Sequence, residues 1–345
     1  MNHKKIVVLD ADTLPGRVFH FDFPHELAVY GTTGADETAE RVRDAHIIIT
    51  NKVMISADII AHAPQLELIA VSATGVNNVD IEAAKAAGVA VCNVRAYGNE
   101  SVAEHAFMLM IALMRNLPAY QRDVAAGLWE KSPFFCHYGA PIRNLPAYQR
   151  DVAAGLWEKS PFFCHYGAPI RDLNGKTLAV FGRGNIGRTL ARYAQAFGMR
   201  VVFAEHKHAP VVREGYVSFE DAVQTADVLS LHCPLNAQTE NMIGENELQQ
   251  MKPGAVLINC GRGGLVDENA LVAALKYGQI GGAGVDVLTE EPPRGGNPLL
   301  NARLPNLIVT PHTAWASREA LDRLFDILLA NIHAFVKGEA QNRVV

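Results

Sequence analysis

The sequence predicts an α/β protein built from two doubly wound parallel-sheet domains. Short apolar runs alternate with helix-like stretches through most of the 345 residues, the order that lays parallel strands beneath covering helices. A glycine-rich turn, Gly182-Arg183-Gly184-Asn185-Ile186-Gly187, lies between one such run and one such helix. A separate set of strands and helices precedes it, and an amphipathic stretch closes the chain.

Taken in order, residues 6–9, 47–50, 68–72 and 89–93 read as buried strands. Between the last two, residues 81–87 read as a helix stopped by Gly88, because glycine takes the left-handed conformation after a helix end without strain. Residues 101–115 are apolar on most sides and predict a buried helix. Further strands are expected at 177–181, 200–204, 228–232, 255–259, 284–287 and 307–310, with helices between them, and a final amphipathic helix at 317–336. The expected division is one domain from residues 1–97 plus 316–345 and another from 98–315.

A repeat interrupts the pattern. Residues 116–143, NLPAYQRDVAAGLWEKSPFFCHYGAPIR, recur letter for letter as residues 144–171. Each copy has a short helical part stopped by Gly127 or Gly155, then an aromatic segment. Loop closure opposes such an insertion by only roughly 0.6 kcal/mol per doubling of length. The added tryptophan, phenylalanines and tyrosines are harder to accommodate in water.

Composition excludes several classes. Apolar residues make up 49% and charged residues 19%, a globular balance. The net charge of −5, with both signs interspersed, gives no footprint for nucleic acid or an anionic membrane. The start, MNHKKIVVLD, lacks the apolar core of a signal peptide, and the longest apolar run, 106–114, is about half a membrane span. None of the five cysteines forms a CxxC pair and no HExxH occurs, so neither a metal site nor a disulfide framework is expected. A cytoplasmic protein is expected.

The glycine turn has the context a nucleotide site needs. Gly182 permits the tight turn, Gly184 lets backbone approach a pyrophosphate, and Gly187 lets helix and strand pack closely. Asn185 and Ile186 open the helix, whose first N–H groups face the anion. Glu205 ends RVVFAE about 20 residues on, where a carboxylate accepts from ribose hydroxyls and repels a 2′-phosphate, which favours NAD. His206, Lys207 and His208 follow at once, either as a solvated turn or as cations that soften that repulsion.

In order along the chain stand SATGVNNVD, NVRAYGNESVAEHAF, the glycine turn, LHCPLNAQT, INCGRGGLVDENAL, GAGVDVLTEEPP and VTPHTAWAS. This series resembles the D-isomer-specific 2-hydroxyacid dehydrogenases over nearly the whole chain except one copy of the repeat. PHTAWAS and SATGVNNVD are most similar to the branch of that family acting on hydroxypyruvate and glycerate. The resemblance implies a Rossmann NAD-binding domain inserted into a flavodoxin-like substrate domain. It also implies reduction of hydroxypyruvate, and of glyoxylate, by NADH, with hydride delivered to the keto carbon and water excluded by domain closure.

Residue by residue, Arg262 would grip the substrate carboxylate and C2 oxygen, as a guanidinium in a glycine-flanked loop can. His312 would exchange a proton with that oxygen, and Glu291, the acid directly before proline rather than its neighbour Glu290, would orient the imidazole and favour its charged form. Asp286, Glu291 and His312 follow Arg262 by 24, 29 and 50 residues, the family's spacing. Asp286, Ser101, Cys233, Pro234 and Cys260 would line the cofactor, and Ala73, Thr74 and Gly75 would hold the substrate carboxylate through backbone N–H groups, unless they form a plain strand-end turn. Asn51 and Lys52 also follow a strand, and Trp315 is either a pocket wall or core.

The family places one copy of the repeat in an arm at a homodimer interface, so the spare copy either packs on that arm and extends the interface or is an accidental in-frame duplication. Two other readings stay open: another 2-hydroxyacid specificity, with the phosphoglycerate one weakened because no further domain follows Val345, and an NAD-sensing protein on the same fold.

Overall fold

The computed structural model describes residues 3–115 and 171–345. The expectations placed on the repeat fall outside the described residues, except that Arg171 ends the second copy. The flanks of the repeat meet: the Arg171 N–H reaches the Met114 carbonyl at 3.3 Å, and Arg115 pairs with Asp172 at 2.8 Å.

Along the chain the elements are β1 (Lys4–Val8), β2 (His25–Val29), α1 (Ala35–Val42), β3 (Ile47–Thr50), α2 (Ala57–Ala61), β4 (Leu68–Val71), α3 (Ile81–Ala86) and β5 (Ala90–Asn93). There follow α4 (Asn99–Met114), β6 (Thr177–Phe181), α5 (Asn185–Ala196), β7 (Arg200–Ala204), α6 (Phe219–Thr225), β8 (Val228–Leu231), α7 (Glu245–Gln250) and β9 (Val256–Asn259). The last are α8 (Glu268–Tyr277), β10 (Gly282–Val285), α9 (Pro298–Ala302), β11 (Leu307–Val309) and α10 (Arg318–Val336). They cluster into two compact units, Met1–Gly98 with Ala316–Val345, and Asn99–Trp315.

In the first unit the strands lie in the order β2-β1-β3-β4-β5, all parallel. Strands β3, β4 and β5 are buried along their whole length, as a sheet covered on both faces demands. Val7, Leu9, Ile48, Ile69, Val71 and Val91 belong to one core layer. The chain returns to this unit at its end: Ser317 caps α10 by accepting from the Ala320 N–H at 3.1 Å, and Asn331 donates to the Asn93 carbonyl at 2.9 Å.

In the second unit the order is β11-β10-β9-β8-β6-β7, again all parallel. The period of two is plain in its cores: Ala179, Phe181, Leu229, Leu231 and Leu257 face one layer, and Leu178, Val180, Val228, Val256 and Ile258 the other. Helix α4 fills the second layer with Leu109, Met110 and Leu113, and lies so close to β10 that a Cβ on Gly284 would stand 3.0 Å from the Leu109 Cβ. Because β7 and β8 lie on opposite sides of β6, the chain reverses direction there, which opens a crevice at the carboxyl ends of β6 and β8.

Candidate active site

The glycine turn occupies that crevice. Gly182 has φ +108°, and a Cβ there would lie 2.7 Å from the His232 carbonyl. Gly184 caps α5, a helix of 12 residues, and a Cβ on it would meet nothing within 4 Å. That open side, beside the first-turn N–H groups of Asn185, Ile186 and Gly187, fits a pyrophosphate. Asn185 is exposed and accepts from Arg188 at 2.8 Å, while Ile186 packs on the core. A Cβ on Gly187 would stand 2.1 Å from the Gly182 carbonyl oxygen and 2.9 Å from Val180 Cγ1. Gly187→Ala is therefore expected to lower stability by about 1–3 kcal/mol, as overpacking does, and to weaken NADH binding as the turn shifts; denaturant melts and NADH titration check both.

Phe181, Gly182, Arg183, Glu205, Tyr216, Cys233 and Thr239 are among the residues around a cleft of about 200 Å³ beside the turn. Glu205 is buried, and its carboxylate accepts from Arg213 Nε at 2.6 Å and Nη2 at 2.7 Å. The Arg213 guanidinium and the His206 N–H hold its pKa down to about 2. Lys207 pairs with Glu247 at 2.8 Å. Burial pushes the Cys233 thiol up to about 11, so it stays neutral; Pro234 is exposed, its carbonyl accepting from the Thr239 hydroxyl at 2.7 Å.

His232, next to Cys233, bonds the Ser230 hydroxyl through Nε2 at 2.8 Å, whereas its Nδ1 is buried without a partner. Burial lowers its pKa from 6.5 to about 4. Between those values only the unfolded chain takes up the proton, so stability falls as pH drops through that window and levels off below it. The loss amounts to roughly 3 kcal/mol at most. His232→Asn is expected to flatten the pH dependence of stability across this window by one proton, whatever its effect at neutral pH; urea melts at a series of pH values measure it.

Strands β9, β10 and β11 are neighbours in register, with Asn259, Val285 and Val309 level at their carboxyl ends. Arg262, Asp286 and His312 each follow one of these ends. The buried Asn259 frames the first loop, donating to the Arg262 carbonyl at 2.8 Å and accepting from the Gly261 N–H at 3.0 Å. Arg262 is exposed, donates to the Gly261 carbonyl at 2.7 Å, and has no carboxylate partner among the described residues. A Cβ on Gly263 would lie 2.0 Å from the Leu288 carbonyl carbon, so the Arg262 loop presses against the loop carrying Glu291. Glu291 precedes a cis proline; its Oε1 accepts from the Leu288 N–H at 2.8 Å and its Oε2 lies 2.5 Å from His312 Nδ1. Glu291 and not Glu290 meets the imidazole.

His312 holds φ +53°, a left-handed conformation that costs energy in a non-glycine residue. Asp286, 1% exposed, fixes it from both sides: its carboxylate accepts from the Thr310 hydroxyl at 2.5 Å and from the N–H groups of Thr313 at 3.0 Å and Ala314 at 2.9 Å. With the Thr310 hydroxyl proton given to Asp286, Thr310 Oγ1 accepts from His105 Nε2 on α4, 3.0 Å away. The Ser101 hydroxyl donates to the Ala314 carbonyl at 2.6 Å, so it secures the same loop. Cys260 is buried and its thiol is pushed up by that burial. Trp315 packs on the core layer beneath α4.

In the first unit Ala73, Thr74 and Gly75 follow β4, with Thr74 donating to the Val94 carbonyl at 2.9 Å. Asn51 and Lys52 follow β3, where their N–H groups bond Asp10 at 2.9 Å and 2.7 Å. Burial raises the Asp10 pKa against these hydrogen bonds. Asp10 was not singled out in the sequence, although its place at the end of an apolar run, as in IVVLD, is a usable signal. Among the described residues no group of three or more His, Cys, Asp and Glu side chains is placed to hold a metal, and no helix is long and apolar enough to cross a membrane.

Two parallel-sheet units with such a glycine turn at a switch point define a dinucleotide-binding α/β protein. Residues 135–314 match the model of the D-isomer specific 2-hydroxyacid dehydrogenase NAD binding domain, and the chain belongs to that family. It is 44% identical over 342 residues to glycerate dehydrogenase of Methylorubrum extorquens, covering 99% of both chains. It is 34% identical over 349 residues to hydroxypyruvate reductase of Blautia hydrogenotrophica, again covering 99% of both. Among solved structures, D-lactate dehydrogenase from Aquifex aeolicus complexed with NAD and lactic acid superposes with a TM-score of 0.74 at 26% identity, covering 97% of this chain and 96% of that one.

Proposed function

We propose that the protein reduces hydroxypyruvate to D-glycerate with NADH, reversibly, and glyoxylate as a second substrate. One observation carries the chemistry: the 2.5 Å contact of His312 Nδ1 with Glu291, on loops packed beside Arg262, whose guanidinium has no carboxylate partner among the described residues. Bound NADH supplies the hydride. Arg262 holds the substrate carboxylate and polarises the C2 oxygen. With Nδ1 committed to Glu291, His312 presents Nε2 as the proton donor to that oxygen, and as the acceptor in the reverse direction. Asp286 and Ser101 hold the His312 loop, and the carboxylate role of Ala73, Thr74 and Gly75 is part of this reading.

The names of the relatives over 99% of the chain support hydroxypyruvate as the substrate. We assign a homodimer, on the support of an apolar surface where Met108 on α4 is 46% exposed and Phe197, just past α5, 54%; a cytoplasmic location is part of the same reading, supported by the free thiols of Cys92, Cys233 and Cys260. NADH oxidation against hydroxypyruvate, glyoxylate, pyruvate and bulkier 2-keto acids tests the assignment. Hydroxypyruvate is expected to give the highest kcat/KM and D-glycerate as product; a higher value for a bulky keto acid, or an L product, overturns it.

A further inference from the structure

Helix α4 is fixed beneath the second sheet: Ala106, Leu109, Met110 and Leu113 are buried in the layer that also holds Val256 and Ile258. Two polar side chains one turn apart on this helix, Ser101 and His105, reach the loop that carries His312. The Ser101 hydroxyl donates to the Ala314 carbonyl at 2.6 Å, and His105 Nε2 lies 3.0 Å from Thr310 Oγ1. His312 stands midway between these anchors, two residues from each.

The direction of each bond follows from the protons on hand. The Asp286 carboxylate only accepts, so its 2.5 Å contact with Thr310 uses the single proton of that hydroxyl. Thr310 Oγ1 then accepts from His105, whose Nε2 carries a hydrogen. His105 does not serve Asp286 directly, because its Nε2 is 3.6 Å from Asp286 Oδ1, too far for a hydrogen bond. The hydroxyl is the link, and the His105 donor commits its proton to Asp286. Together with the Thr313 and Ala314 N–H groups, that proton wraps the loop around the carboxylate. The Asp286 carbonyl takes the His312 N–H at 2.8 Å, and the φ of +53° at His312 is kept by this enclosure.

We propose that His105 is a positioning residue for the reduction: it sets the His312 backbone through Thr310 and Asp286, with α4 as the rigid platform. The proposal deepens the reading of His312 as the proton donor and rests on it. It does not depend on which 2-keto acid is reduced.

The test compares His105→Leu, His105→Gln and Thr310→Val in the full chain, with NADH and whichever 2-keto acid gives the highest kcat/KM. His105→Leu removes the donor and is expected to lower kcat about 10- to 100-fold, as a small displacement of a reacting group does. KM and the NADH Kd are expected to stay within about threefold, since the loss falls on the transition state. His105→Gln keeps an N–H donor on a helix-favouring residue and is expected to restore kcat to within about threefold of wild type. Thr310→Val removes the link and is expected to lower kcat at least about tenfold; adding His105→Leu to it is expected to cost less than about twofold more. NADH binding shows that each variant is folded. If His105 only packs α4 against the sheet, denaturant midpoints shift while kcat does not. Wild-type kcat in His105→Leu or Thr310→Val, a His105→Gln no faster than His105→Leu, or losses that multiply in the double variant overturns the proposal. Where His105→Leu binds no NADH, Thr310→Val carries the test, because wild-type kcat there is equally fatal. His312→Gln at the wild-type rate overturns the proton-donor reading as well, whereas a slow His312→Gln beside a fast His105→Leu overturns the positioning role alone.

Discussion

His312→Gln is expected to lower kcat for hydroxypyruvate by about 10³-fold, within the range a lost general acid costs, while the NADH Kd stays close to that of the unaltered chain. The argument is geometric. Glu291 takes Nδ1, so the imidazole is turned to offer Nε2. Asp286 fixes the backbone on both sides of residue 312, through Thr310 and through the N–H groups of Thr313 and Ala314. A glutamine in that backbone keeps a polar side chain of similar reach but has no proton to give at neutral pH. The glycine turn, on a different loop after β6, is untouched. Single-turnover rates with saturating NADH separate the outcomes: a slow chemical step with normal NADH affinity supports the role, and an unchanged rate removes it.

The parts of the fold visible in the sequence are those where local pattern and tertiary role agree. β3, β4, β8 and β9 are apolar runs because both faces are covered, and all four lie within a residue of the expected spans. β2, HELAV, was missed because it is an edge strand: only part-buried, with Glu26 exposed, it shows no apolar run. β10 begins at Gly282, two residues before the expected start. Its glycines hide the strand; the neighbouring Gly281 packs 2.3 Å from the Gly254 carbonyl oxygen, measured from an added Cβ, and Gly284 makes room for Leu109.

The site divides in the same way. Glycines and catalytic side chains in short motifs are legible because their spacing is local. The groups that hold them are not. Asn259 frames the Arg262 loop from the strand before it, Ser101 reaches Ala314 across 213 residues of sequence, and Asp10 ties down Asn51 and Lys52 from the loop after β1. Arg213 pairs with Glu205 from eight residues away, in a stretch where no local pattern marks the pairing. Such partnerships appear only once parallel strands bring their carboxyl ends level.

Arg262→Lys is expected to lower kcat/KM for hydroxypyruvate by about 10³-fold, since two charge-assisted hydrogen bonds at roughly 1.5–3 kcal/mol each lose their paired geometry. Charge is conserved in this substitution, so the effect isolates the planar fork from simple attraction. Three features make the position unforgiving. Asn259 clamps the backbone around residue 262, Gly263 leaves no space against Leu288, and among the described residues the guanidinium has only the Gly261 carbonyl as a partner. A lysine there has no carboxylate partner among the described residues to steady it, and the packed loop resists moving to compensate. The loss is expected in both KM and kcat, because the same group binds the carboxylate and polarises the oxygen to be reduced. Steady-state kinetics with guanidinium added back provide the check: partial recovery of kcat supports the assignment, and a variant with wild-type kcat/KM shows that the substrate is gripped elsewhere.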